Sequence, residues 1–135
     1  MAVTSSAILN TGKEKVAKIL GNIDTPDPAN YQGMGVGDDD TAASASDTTL
    51  KGNAIYVSVT PTYEADYKCV WNHDFTYAEI HGTLTADTIK EYCICKNNTE
   101  HASGDLFMRG VVDPVVLGSG EHYDLTEKCE IKETT

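Results

Sequence analysis

Tyr123-Asp124-Leu125-Thr126-Glu127-Lys128-Cys129-Glu130-Ile131-Lys132 alternates in register of two: every even position is polar or charged, and four of the five odd positions carry apolar groups. A side-chain period of two is that of a strand, and a wholly polar second face means that one side of the sheet is wet. Such half-wet strands belong to antiparallel sheets. Glu127 interrupts the apolar face, so it is expected at an interface or paired with a lysine or arginine. The same period recurs upstream. Ile55, Val57 and Val59 alternate with Ala54, Tyr56, Ser58 and Thr60. Cys69, Trp71, His73, Phe75 and Tyr77 form a second set. Ile89–Cys95 and Leu106–Val112 read as two more strands, with Asp113-Pro114 expected to break the second.

Turn chemistry separates these runs. Residues 82–88 form a polar turn region with Leu84 tucked in, 97–105 are loop by composition, and Gly118-Ser119-Gly120 turns the chain. Near the N-terminus, Thr11 followed by Glu14 has the spacing of a capping box. Val16, Ile19 and Leu20 then make an apolar stripe that Gly21 ends, giving a helix of about nine residues that must dock to be stable. Residues 1–10 read as an N-terminal arm carrying the apolar pair Ile8-Leu9, with a short strand as the alternative. Residues 22–50 read as loop, stiffened by Pro26 and Pro28, with a brief strand near residues 31–36. Gly33, Gly35 and Gly37 alternate with Met34 and Val36, which suits a strand whose bare face lies against a helix or another chain. The expected fold is mostly β: five to seven strands in an antiparallel sandwich or small barrel, with one short N-terminal helix. The arm is followed by a single domain over residues 11–135, with an acidic loop at 38–50.

Charge narrows the function classes. The formal net charge is -11, and residues 21–50 hold six aspartates and no lysine or arginine. That field repels phosphate backbones, so no direct nucleic-acid partner is expected. No apolar stretch is long enough to span a membrane, and no basic flank with an apolar core marks a secretory leader. Asp38-Asp39-Asp40 offers hard oxygen ligands, but as a run rather than the alternating ligand pattern of a calcium loop, so a solvated acidic loop is expected. Cys69, Cys93, Cys95 and Cys129 leave buried thiols, disulfides and a metal site open, and the lack of a leader favours reduced thiols. Cys69, His73 and Asp74 suggest a catalytic grouping, yet positions 69 and 73 stand about 13 Å apart along one strand. Gly33-x-Gly35-x-Gly37 lacks the context of a nucleotide-binding loop. No catalytic residue, metal or cofactor is therefore expected. The candidates for assembly are Ile8 and Leu9 in the arm, Asp38, Asp39, Asp40 and Leu50 in the loop, and Glu127.

The order of segments carries one resemblance. A short helix (11–20) precedes Met34-Gly35-Val36-Gly37 and the small-residue tract 42–50. Ile89-Lys90-Glu91-Tyr92-Cys93-Ile94-Cys95-Lys96-Asn97 and Leu106-Phe107-Met108-Arg109-Gly110-Val111-Val112-Asp113-Pro114-Val115 follow. Over residues 10–131 this order resembles a family of small virion structural proteins of tailed bacteriophages, also found as N-terminal domains of tail-fibre or baseplate-associated proteins. The cysteines and the polar insertion at 77–88 depart from that pattern. The resemblance implies a non-enzymatic capsid decoration (cement) protein, made in the host cytoplasm and resident in the virion. Its partners would be the major capsid protein or tail proteins and further copies of itself, as a trimer. A tail, neck or baseplate component is the alternative, including a carbohydrate- or receptor-binding module with Trp71, Tyr56 or Tyr63 on one concave patch.

Overall fold

The computed structural model describes residues 3–21, 23 and 31–133. Among these, eight strands form: β1 (Val3–Ile8), β2 (Gly33–Gly37), β3 (Ala54–Ser58), β4 (Thr62–Glu64), β5 (Lys68–Thr76), β6 (Thr88–Cys95), β7 (Leu106–Val116) and β8 (His122–Glu130). They build two antiparallel sheets, ordered β1-β7-β6-β2-β3 and β4-β5-β8. Neither sheet closes on itself, so of the two architectures expected the sandwich is the one formed. Pro26 and Pro28, with Met1 and Ala2, lie outside the described residues.

The two sheets enclose the main core. Met34, Val36, Tyr92, Ile94, Met108 and Val112 of the large sheet pack with Trp71, Phe75 and Leu125 of the small one. Phe75 is wholly buried, a contribution of about 1.5–3 kcal/mol. β8 follows its sequence pattern: Leu125 is buried, while His122, Asp124, Thr126, Lys128 and Glu130 are exposed. Leu84 is buried as expected.

Several expectations need correction. Of the two readings of residues 1–10, the short strand rather than the arm is formed over residues 3–8: an edge strand paired with β7 from Val3↔Val112 to Ile8↔Met108. Leu9 is fully buried in a second apolar cluster with Leu50, Cys93, Cys95 and Leu106. The helix α1 spans Asn10–Gly21, two residues earlier than a Thr11 cap allows, and the Thr11 hydroxyl donates to the Leu106 carbonyl instead. Gly12 sets how α1 docks: a Cβ there would stand 2.5 Å from the Phe107 carbonyl oxygen, so helix and strand touch backbone to backbone. This choice of face turns the stripe outward, leaving Val16 and Ile19 about half exposed and Leu20 89% exposed.

β7 runs through Asp113-Pro114 to Val116. Its register with β6 shifts between Ile89↔Val115 and Glu91↔Val111, so the proline falls in a bulge where no ladder N–H is required. Ahead of the polar turn region at 82–88 stands a short helix, α2 (Tyr77–Ile80), opened by a capping box between Thr76 and Glu79, so Tyr77 leaves the strand in which it was read. The bare face of β2 does not lie against a helix. Gly33, Gly35 and Gly37 stand opposite Cys95, Cys93 and Glu91, whose side chains fill that space together with the Tyr56 ring.

Candidate interaction surface

The face of the large sheet that turns away from the small sheet carries the most concentrated electrostatics of the molecule. Glu91 on β6 and Arg109 on β7 lie diagonally across their strand pair, and both are fully buried. Arg109 Nε donates to Glu91 Oε1 at 3.1 Å. The carboxylate also accepts from the main-chain N–H groups of Lys51 (2.8 Å), Asp39 (2.9 Å) and Gly52 (2.9 Å), so its lone pairs are filled by four donors. Arg109 Nη1 donates to the Thr41 carbonyl at 2.8 Å and to Asp47 Oδ2 at 3.2 Å. Asp39 Oδ1 lies 3.8 Å from Nη2.

This network folds the chain from Asp38 to Asn53 over the sheet as a roof. The segment expected to be a mobile, solvated loop is held at each end by Glu91 and in the middle by Arg109. Asp38 accepts from Asn53 N, Asn53 Nδ2 and Thr85 N. Asp39 sits below the usual carboxylate range through hydrogen bonds from Thr41 and the charges of Arg109 and Lys51. Burial pushes Asp47 up, but the Ser44 N–H, Lys51 and Arg109 outweigh it and hold the carboxyl low. Leu50 is buried beneath the roof, and Asp40 alone of the three consecutive aspartates is exposed. The loop's candidate residues thus serve mostly to anchor it.

Glu127 is half-buried and accepts from the Tyr92 hydroxyl at 2.9 Å, so of the interface or the lysine or arginine partner expected, the cation is replaced by a phenol. Burial raises its pKa, and the Tyr92 hydrogen bond only partly offsets this. Ile8 and Glu127 come together across a cleft between the β1 and β8 edges.

A larger groove opens beside α1. Trp71 and Phe107 form its floor, Val16 and Ala17 one wall, and Tyr63, Tyr67 and Ile131 the other, with a volume of about 840 Å³. Its lining is almost wholly apolar, and Lys13 and Lys68 also border it. Tyr63, Tyr67 and Ile131 are 73%, 68% and 80% exposed. With the outward stripe of α1 they make a broad apolar face on a strongly acidic protein.

The remaining chemistry is dispersed. Cys69 and Cys129 stand opposite each other on β5 and β8, Cys93 and Cys95 are buried, and all four are free thiols. Burial raises the pKa of Cys69, Cys93 and Cys129. His73 contacts Glu79 rather than Cys69, and Asp74 contacts His122. Among the described residues no three His, Cys, Asp or Glu side chains converge as a metal site, and no helix is long and apolar enough to cross a membrane.

Glu91 and Arg109 were not singled out from sequence, yet the signal was present. Arg109 is the single arginine of the chain, set in the apolar run Leu106–Val112, and Glu91 is set between Ile89 and Cys95. A charge inside a buried-strand pattern calls for a partner of opposite sign. No protein-family model matches the sequence, and no curated protein or solved structure matches it.

Proposed function

We propose that this chain is a structural protein of a tailed-phage virion, a decoration protein seated on the capsid surface. The observation that carries the reading is the apolar face formed by Ile8, Val16, Tyr63, Tyr67 and Ile131 around the groove, with Ile19 and Leu20 exposed further along the same helix. Contiguous exposed apolar surface of this kind marks a docking site for another macromolecule. The sequence resemblance supplies the class of partner, the capsid lattice. The acidic remainder of the surface keeps a densely decorated particle soluble and clear of packaged DNA.

The carbohydrate-binding alternative loses its best residue, because Trp71 is only 5% exposed and donates its indole N–H to the Tyr31 carbonyl. Tyr56 belongs to a different surface, stacked on His101 at 3.6 Å. The test is electron microscopy and protein composition of purified particles. Density for this sandwich on the capsid, lost with Tyr67→Ala plus Val16→Asp, is the expected result. Density at the neck or tail moves the protein to those sites. Its absence from particles overturns the reading.

A further inference from the structure

We propose that two copies of this chain pair through their β8 strands, antiparallel about a two-fold axis at Thr126, to form one continuous six-stranded sheet. β8 is the edge strand of the small sheet. Its partner β5 engages the odd positions: the flanking bonds Ile131 N–H to Tyr67 O and Tyr77 N–H to Glu121 O, both 3.1 Å, fix that phase of the ladder. The main-chain N–H and C=O groups of His122, Asp124, Thr126, Lys128 and Glu130 therefore point away from β5. Among the described residues no main-chain partner meets them.

Of the four sheet edges this one is the most regular. Nine consecutive residues of β8 pair with β5 without a bulge. β4 has three residues, β3 has five, and the β1 register breaks between Val3 and Ser5. Short or bulged edges resist strand addition, whereas a long regular edge invites it.

The side chains then select the partner. Rotation about Thr126 sets Asp124 opposite Lys128 of the partner subunit, and His122 opposite Glu130 of the partner subunit. All four lie on the exposed face. The Asp124–Lys128 position thus brings together opposite charges, the His122–Glu130 position brings an imidazole to a carboxylate, and the symmetry repeats each match.

Asp124 gives an independent reason. Within one chain it stands directly opposite Asp74, a like-charge pair. Its carboxylate accepts from the Asn72 amide at 2.7 Å, but among the described residues no lysine, arginine or histidine pairs with it. Lys128 of the partner subunit supplies the missing cation while retaining its contact with Glu64. The cleft of about 380 Å³ between β1 and β8 leaves open space along this edge.

The pairing does not depend on the virion reading, because it is tested on the purified full-length protein. Sedimentation velocity over a range of concentrations should show a monomer–dimer equilibrium. Asp124→Lys and Lys128→Asp each place like charges across the axis twice and should weaken the dimer about tenfold or more. The two single variants, mixed, should pair with each other, since one chain then carries lysine at both positions and the other aspartate at both. The double variant D124K/K128D should recover self-pairing. Thr126→Pro deletes an outward N–H that β5 does not use, so it should abolish the dimer with the circular dichroism spectrum of the fold retained. A monomer at every concentration, a trimer, or a dimer indifferent to the charge swaps overturns the proposal.

Discussion

The two faces of the large sheet are held by different forces. One face meets the small sheet through apolar side chains, and its stability scales with area removed from water. The other is roofed by residues 38–53, which have no strand or helix of their own and attach mainly through hydrogen bonds to Glu91 and Arg109, with Leu50 as their apolar contact to Cys93 and Cys95. Area is forgiving of small shifts, whereas a buried ion pair depends on each partner being present. The apolar face should therefore yield gradually to mutation, and the roofed face should fail at single atoms.

Breaking the roof gives the largest expected effect. Arg109→Ala leaves Glu91 without its cation and Asp47 with Lys51 alone, and should cost about 3–5 kcal/mol in urea unfolding at pH 7. The comparable cut on the apolar face, Phe75→Ala, should cost about 3–5 kcal/mol as well. The two separate by pH: the Arg109 penalty should shrink in acid, where the abandoned carboxylates can protonate, and the Phe75 penalty should not. A smaller loss, about 1–3 kcal/mol, is expected for Gly35→Ala, because its Cβ would stand 2.6 Å from the Tyr56 ring.

Acid alone should sharpen the contrast. Asp39 and Asp47 have lowered pKa values in the fold, so their stabilisation is full above the unfolded carboxylate pKa and is lost as pH falls through the folded values. Hydrogen exchange should then accelerate at the Asp39, Lys51 and Gly52 amides before the β5 and β8 amides. Glu127 titrates in the opposite sense: its raised pKa means that its contribution is lost as pH rises through the folded value. Glu127→Gln should be the mildest change, neutral or slightly stabilising at pH 7 by thermal melting, and unchanged or relatively less favourable in acid.

How much of this was legible in the sequence follows from the same contrast. Period-two patterns located β3, β5 and β8, because a strand's alternation is local information. The wet face of β8 and the burial of Leu84 were readable for the same reason. The roof was not, because its cohesion comes from Glu91 and Arg109, some forty to seventy residues away from the groups that they bind. Composition made residues 38–50 look solvated while three main-chain N–H groups were being recruited by one distant carboxylate. The helix failed in the converse way. Its apolar stripe was legible, but the docking face is set by the absence of a side chain at Gly12, which a hydrophobicity pattern does not register. A capping box was read at Thr11 and Glu14, whereas the one that forms is at Thr76 and Glu79. Both match the same short pattern, and tertiary docking decides between them.

Trp71 is the single tryptophan of the chain, and it sits at the floor of the groove with its ring 6.2 Å from Phe107 and its N–H fixed on the Tyr31 carbonyl. The protein thus carries a built-in optical reporter at its proposed docking face. Its emission comes from one defined position, so a shift in wavelength or a change in quenching on mixing with a partner reads events at that floor without any label.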